Sequence, residues 1–211
     1  MVADSRTNSV PDTILGAILA GGAATRMGAA APGGDKCLIE IGGAPLLVHA
    51  RARLAPQVAE TILSANGDPA RFDAYGLDVI ADETPGQGPL AGVIAALAEA
   101  ARRGHSLCLT VPGDAPLLPR DLAARLHEAL GEANCAVATS AGQRQSVFAL
   151  WRVAALARLR GIYADGTRAL WRAQEALSAT QADFADADAF LGLNRPADRT
   201  ALATALNRAA G

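Results

Sequence analysis

Aromatic side chains are scarce in this chain, at 4% of 211 residues. A single-strand nucleic-acid binder built on stacking platforms is therefore not expected. Cationic excess is also missing. Nineteen Lys and Arg stand against 21 Asp and Glu, a formal charge of −2, which leaves no electrostatic footprint for DNA or RNA. The three cysteines, Cys37, Cys108 and Cys135, are odd in number and lack metal-ligand spacing, as do His49, His105 and His127. A disulfide framework and a zinc site are both unexpected. No apolar run approaches the length of a membrane span. The opening MVADSRTNSVPDT carries Asp4 and Arg6 and no apolar core. It reads as a flexible tail over residues 1–12 rather than a secretory signal, so a cytoplasmic location is expected.

What is present is a chain of 51% hydrophobic residues, long enough to bury a core without staples. Short apolar runs alternate with helical patterns. Ile14–Leu19, 61–63, 79–80, 107–111, 136–139 and 147–150 read as strands. Residues 45–54, 70–75, 90–102, 119–130, 153–160, 167–177 and 196–209 read as helices. This order predicts one doubly wound, Rossmann-like α/β domain over residues 13–211 with a mostly parallel sheet. The strand runs are continuously apolar, as they are where both sheet faces are covered.

In such sheets ligands bind beyond the carboxyl ends of the strands. Gly21 and Gly22 follow the first strand, Asn66 the second, Asp82 the third, and Asp114 the run Leu107–Val111. Glycines there let backbone N–H groups approach phosphate oxygens, and Arg26 and Lys36 add positive charge in the same loop. The Walker pattern is not met, because Gly34-Asp35-Lys36-Cys37 lacks its Ser or Thr. The spacing of Gly86, Gly88 and Gly92 does not fit the dinucleotide fingerprint. Each residue has an ordinary alternative. Asp114 could cap a helix, Asn66 and Asp82 could serve turns, and Asn194 could cap the last helix.

LAGGAATRMG (Leu19 to Gly28) followed by Asp35-Lys36 resembles the LAGG-x-x-x-RMG…DK signature of the nucleotidyltransferases. SANGDPARF, Asp82, GPLAG (Gly88 to Gly92) and TVPGDAPLLP are similar to that superfamily's later segments. With LAGG and GPLAG together, the chain most resembles the molybdenum cofactor guanylyltransferase family. The resemblance implies transfer of GMP from GTP to the phosphate of molybdenum-bound molybdopterin, with Mg²⁺ and release of pyrophosphate. It implies that Leu19, Ala20, Gly21, Gly22, Lys36, Asn66, Asp82 and Asp114 contact GTP. Asp114 would hold Mg²⁺, and Lys36 and Arg26 would offset phosphate charge.

On the acceptor side the family's His-Pro pair is replaced by Gln145-Ser146, and of its Asn-x-Asn-x-Pro only Asn194 and Pro196 remain. Gln145 and Asn194 are the candidate acceptor contacts. A cytidylyltransferase of the same fold using CTP on the same pterin is one alternative, a sugar-phosphate nucleotidyltransferase another, and a non-catalytic nucleotide-binding module a third. Cofactor-biosynthesis proteins or apo-molybdoenzymes are conceivable protein partners for a chain that hands on a labile product. Nucleic acid and membrane are not expected as partners.

Overall fold

The computed structural model describes residues 13–20, 35–83 and 86–210. The chain runs β1 (Ile14–Leu19), β2 (Glu40–Ile41), β3 (Ala44–Pro45), α1 (Leu46–Leu54), β4 (Glu60–Ser64), β5 (Asp78–Ile80), α2 (Pro89–Arg102) and β6 (Leu107–Pro112). It continues with α3 (Leu122–Leu130), β7 (Cys135–Ser140), β8 (Gln143–Arg152), α4 (Leu156–Ala164), α5 (Leu170–Ala176), β9 (Thr180–Phe184) and α6 (Asp198–Ala210). Residues 1–12, read from the sequence as a tail, lie outside the described residues.

Seven strands form one sheet in the order β5-β4-β1-β6-β8-β7-β9, and β2-β3 make a separate two-stranded ribbon. Pairing is parallel except around β8, which is antiparallel to both β6 and β7. The mostly parallel, doubly wound sheet expected from the sequence is therefore present. The chain lays β4 and β5 on one side of β1, then crosses back to place β6 on the other. That reversal is the topological switch point at which open α/β sheets bind ligands.

Side-chain alternation explains why both faces are covered. Leu107, Leu109 and Val111 of β6, with Ile18 of β1, enter a core that includes Leu47 and Leu54 of α1 and Leu122 and Leu126 of α3. Leu15, Ala17, Cys108, Cys135 and Val137 enter the opposite core against Leu90, Val93 and Leu97 of α2. The central strands β1 and β6 are thus buried on both faces, and apart from Gly16 and Thr110 their residues are apolar. A third cluster, Ile39, Ile41, Leu46, Leu117, Leu193 and Leu202, ties the ribbon to α6.

One local reading is sharpened and one corrected. The short helix expected over 70–75 is a 3-10 helix, 69–75, begun by Pro69, with the Asp68 carboxylate accepting from the Ala70 N–H. The helix expected from Thr167 begins at Leu170. Two elements were not foreseen. The β2-β3 ribbon is too short to show a period. The strand β9 alternates exposed Gln181 and Asp183 with buried Ala182 and Phe184, as an edge strand does.

Candidate active site

Register alone gathers the rim. Leu19 lies opposite Ser64 on one side and Pro112 on the other, and Ser64 lies opposite Ile80. Four strand ends therefore stop in one row. Two residues beyond that row stand Asn66, Asp82 and Asp114, the three polar residues picked out from the sequence.

Asn66 and Asp82 lock together. The Asn66 side-chain amide donates to Asp82 Oδ2 at 2.9 Å, and the Asp82 backbone N–H donates to Asn66 Oδ1 at 2.9 Å. Ser64 Oγ adds a contact to Asp82 Oδ1 at 3.4 Å. This pair fixes two loop ends without any ligand. The first turn of α2 passes just beneath it. A Cβ on Gly92 would stand 3.3 Å from Ser64 Oγ and 3.4 Å from Asp82 Oδ1, so the helix approaches this closely only because position 92 has no side chain.

Lys36 opens a short 3-10 turn, 36–38. Its Nζ donates to Asp114 Oδ2 at 2.5 Å and to Asn194 Oδ1 at 3.2 Å. The two charged side chains are about one-fifth exposed, at 19% and 17%, so this pair is neither solvated nor fully desolvated. The Asn194 side-chain oxygen is thus turned to Lys36, while the Asp198 carboxylate in the first turn of α6 accepts from the backbone N–H groups of Asn194 and Arg195 and holds the segment before the helix. The Leu193 N–H donates to the Asp114 carbonyl at 3.1 Å, docking this segment on the rim. Gly192 lies in the same contact. A Cβ there would stand in ordinary contact with Asp114 Oδ1, at 3.5 Å, so a side chain at position 192 would lie against the carboxylate.

Asp35, the other half of the Asp-Lys pair, takes a different partner. Arg71 donates to its Oδ2 at 2.5 Å and to the Asn66 carbonyl at 2.6 Å. Arg71 thus braces the Lys36 turn against the Asn66 loop. It was not singled out from the sequence, although it lies in the quoted SANGDPARF segment. Cys37 is buried below, with its thiol pushed up to about 12 by burial first and by the nearby Asp35 and Asp114 charges second. It is a packing group, not a nucleophile.

The opposite wall comes from β8. Its pairing with β6 ends at Ala149 and Thr110, whereas its pairing with β7 continues to Gln143 and Ser140. The register of the β7 pairing jumps between Val137, opposite Ala149, and Ala138, opposite Gln145, so residues 146–148 bulge. The Thr110 hydroxyl holds the bulge through the Val147 carbonyl at 2.8 Å, and the buried Gln174 amide holds it through the Ser146 carbonyl at 2.8 Å. Peeled from β6, this stretch opens a cavity of about 180 Å³ lined by Leu19, Ala20, Lys36, Cys37, Pro112, Asp114 and Val147.

Of the residues expected from the sequence, Leu19, Ala20, Lys36 and Asp114 line this cavity and Asn194 reaches it through Lys36. Asn66 and Asp82 stand on the neighbouring strand ends, and Gln145 lies part-buried on the wall strand. Gly21, Gly22 and Arg26 lie outside the described residues.

Among the described residues no three His, Cys, Asp or Glu side chains gather into a metal site. The donor set beside the cavity is one carboxylate, Asp114, with Lys36 beside it. A protein-only Zn²⁺ or Ca²⁺ cage needs more. A single carboxylate completed by substrate oxygens suits Mg²⁺.

Residues 16–180 match the MobA-like NTP transferase domain. The chain is 45% identical over 185 residues to a molybdenum cofactor guanylyltransferase of Cereibacter sphaeroides, covering 88% of this chain and 93% of that one. It is 47% identical over 189 residues to the protein of the same name from Rhodopseudomonas palustris strain HaA2, covering 86% of each. Among solved structures, molybdopterin-guanine dinucleotide biosynthesis protein A from Archaeoglobus fulgidus superposes with a TM-score of 0.71 at 18% identity, over 92% of this chain and 99% of that one, which shows the shared fold. With its match spanning the strands that build the cavity, the chain belongs to the MobA-like NTP transferase family.

Proposed function

We propose that this chain transfers GMP from GTP to the phosphate of molybdopterin, with or without bound molybdenum, and releases pyrophosphate. The observation that carries this reading is the position of Lys36. Its ammonium group sits at the switch point, within reach of Asp114 from β6 and Asn194 from the segment before α6. The names of relatives at 45–47% identity supply the substrates.

The attacking group is an anionic phosphate, so the reaction needs no general base. That fits a cavity whose lining, among the described residues, holds no histidine and a cysteine that stays protonated. An acceptor phosphate oxygen attacks the α-phosphorus of GTP, and the bond to the β-phosphate oxygen breaks. The chain's contribution is positioning and charge neutralisation. Lys36 offsets charge on the phosphates, and Arg26 with the backbone N–H groups of Gly21 and Gly22 adds to it in this reading. Asn66 and Asp82, held rigid by their mutual hydrogen bonds, contact the nucleoside end. Asp114 is the residue that would hold Mg²⁺. The ion, when bound, supplies charge neutralisation on the phosphate oxygens. Asn194 and Gln145 stand toward the acceptor.

Calorimetry of GTP, CTP and ATP binding in Mg²⁺, followed by turnover with molybdopterin, tests the proposal. GTP preference and formation of the guanine dinucleotide are expected. Preference for CTP would move the chain to cytidylyl transfer. Absence of nucleotide binding would overturn the enzymatic reading.

A further inference from the structure

Two tryptophans are present in the chain, and the structure separates them sharply. Trp151 is fully buried, with its indole N–H donated to Thr110 Oγ1 at 3.0 Å, so it is a core residue. Trp171 is 46% exposed, one of two large apolar side chains left open among the described residues. It lies in the first turn of α5, beside the wall strand. Arg144 of β8 donates to the Trp171 carbonyl at 3.4 Å, and Gln174, one turn further along α5, holds the Ser146 carbonyl of β8. Val147, the next residue, lines the cavity. Val147 is three residues along β8 from Arg144, a reach of at most about 10 Å. A bicyclic or tricyclic ring with its phosphate arm spans about that distance.

The charges point the same way. Arg172 sets its guanidinium 5.1 Å from the Trp171 ring centroid. Neither Arg144 nor Arg172 is ion-paired with a carboxylate among the described residues, whereas Arg102, Arg103, Arg160 and Arg208 all are. Glu175, on the same helix, makes no such pair with Arg172. Arg168 is occupied differently, with its guanidinium over the Tyr163 ring and bonded to the carbonyls of Tyr163 and Thr167. A half-exposed indole with one unneutralised guanidinium near its ring and a second at its backbone carbonyl has the chemistry to hold a flat, anionic heteroaromatic molecule by stacking and charge.

We propose that Trp171, Arg172 and Arg144 form the platform that receives the ring system of the acceptor, with its phosphate reaching past Val147 toward Lys36. The inference rests on the guanylyltransferase reading and assigns its acceptor side to α5 and the start of β8. The test compares wild type with Trp171→Ala, Trp171→Phe and Arg172→Gln. Trp171→Ala should raise the KM for molybdopterin about tenfold, with the kcat at saturating acceptor and the affinity for GTP within about twofold of wild type. Trp171→Phe should restore most of the loss, and Arg172→Gln should raise the same KM severalfold. An unchanged acceptor KM in Trp171→Ala would overturn the proposal, as would a parallel loss of GTP affinity. A self-association of wild type that Trp171→Ala abolishes, with acceptor KM unchanged, would assign the tryptophan to an interface instead. Should wild type bind GTP yet show no turnover, the function is wrong rather than the platform. Retention of molybdopterin on wild type and variant by ultrafiltration then decides, and equal retention overturns it.

Discussion

The ammonium group of Lys36 lies 2.5 Å from a carboxylate oxygen of Asp114, 78 residues away in the chain. The proposed function uses both residues separately, the cation for phosphate and the anion for Mg²⁺. In the structure they neutralise each other. A triphosphate arriving without metal must therefore draw Lys36 away from its carboxylate. Asp114→Asn removes that competition while keeping a side chain of the same shape. It should bind GTP in the absence of Mg²⁺ about tenfold more tightly than wild type, a magnitude set by one charge-assisted hydrogen bond. It should lose the further tightening that Mg²⁺ gives wild type, and it should not turn over. Titrations of both proteins with and without Mg²⁺ read this directly. Metal-free affinity equal to or weaker than wild type would show that the pair does not compete with nucleotide. Lys36→Met, in contrast, should weaken GTP binding by about 10- to 100-fold in either condition.

The helix α2 and the Asn66–Asp82 pair share a contact in which a methyl group would be tight. Gly92→Ala would bring a Cβ to 3.3 Å from Ser64 Oγ and 3.4 Å from Asp82 Oδ1. Either α2 shifts outward or Asp82 turns from Asn66. The expected result is a severalfold weaker affinity for GTP and a stability loss of about 1–2 kcal/mol, the usual range for mild overpacking. Ser64→Ala in the same background removes one of the two crowded atoms and should recover part of both. Urea unfolding and nucleotide titration of the single and double variants measure the coupling. Simple additivity would mean that the crowding is relieved elsewhere.

How much of this was legible in the residues follows from what each signal measures. Runs such as Leu107–Val111, apolar but for the buried Thr110, have both sheet faces packed, so the strands and the parallel class could be read. Strand-end residues Asn66, Asp82 and Asp114 were legible because parallel register brings such ends to one rim. Asn194 reads equally as a cap or a contact in the sequence, since only the fold reveals that its side-chain oxygen accepts from Lys36. The peeling of β8 from β6 was not legible. It depends on hydrogen bonds from Thr110 and Gln174 that span 37 and 28 residues. Arg71 was missed for a similar reason. Nothing local to the sequence says that it braces Asp35, 36 residues earlier.

The three cysteines give a chemical prediction. All are free and buried. Burial pushes the Cys108 thiol up to about 12, and Cys37 to about 12 with help from Asp35 and Asp114; burial raises Cys135 as well. At pH 8 a soluble disulfide reagent should find no reactive thiol in the native protein and three in denaturant. The same shifts fix a sign for alkaline stability. Folded-state values above the ordinary 9.0 mean that the native thiols keep protons that the unfolded chain releases. The thiol contribution is fully present below about pH 9 and is lost progressively as pH climbs toward 12. Rapid native labelling of Cys37 at pH 8 would show that the turn carrying Lys36 opens easily.

At the far end of the sheet Arg103 makes the mirror-image case. Its guanidinium pairs with Glu99 in its own helix at 2.7 Å, with Glu60 of β4 at 2.8 Å and with Asp78 of β5 at 2.9 Å. One cation thus ties the end of α2 to two strand starts. Glu99, bonded first to Arg102 and then to Arg103, has its carboxyl held down at about 2. A folded-state value below the ordinary 4.5 stabilises the native state above that pH, and the contribution disappears as pH falls toward 2. Arg103→Ala should therefore lower the urea midpoint at pH 7, and the gap from wild type should narrow steadily between pH 4.5 and 2. Nucleotide affinity should be unchanged, because the cluster sits at the amino ends of the strands and the active site at their carboxyl ends. A gap that stayed constant down to pH 2 would mean that Arg103 acts by packing its stem against the sheet rather than through its three carboxylates.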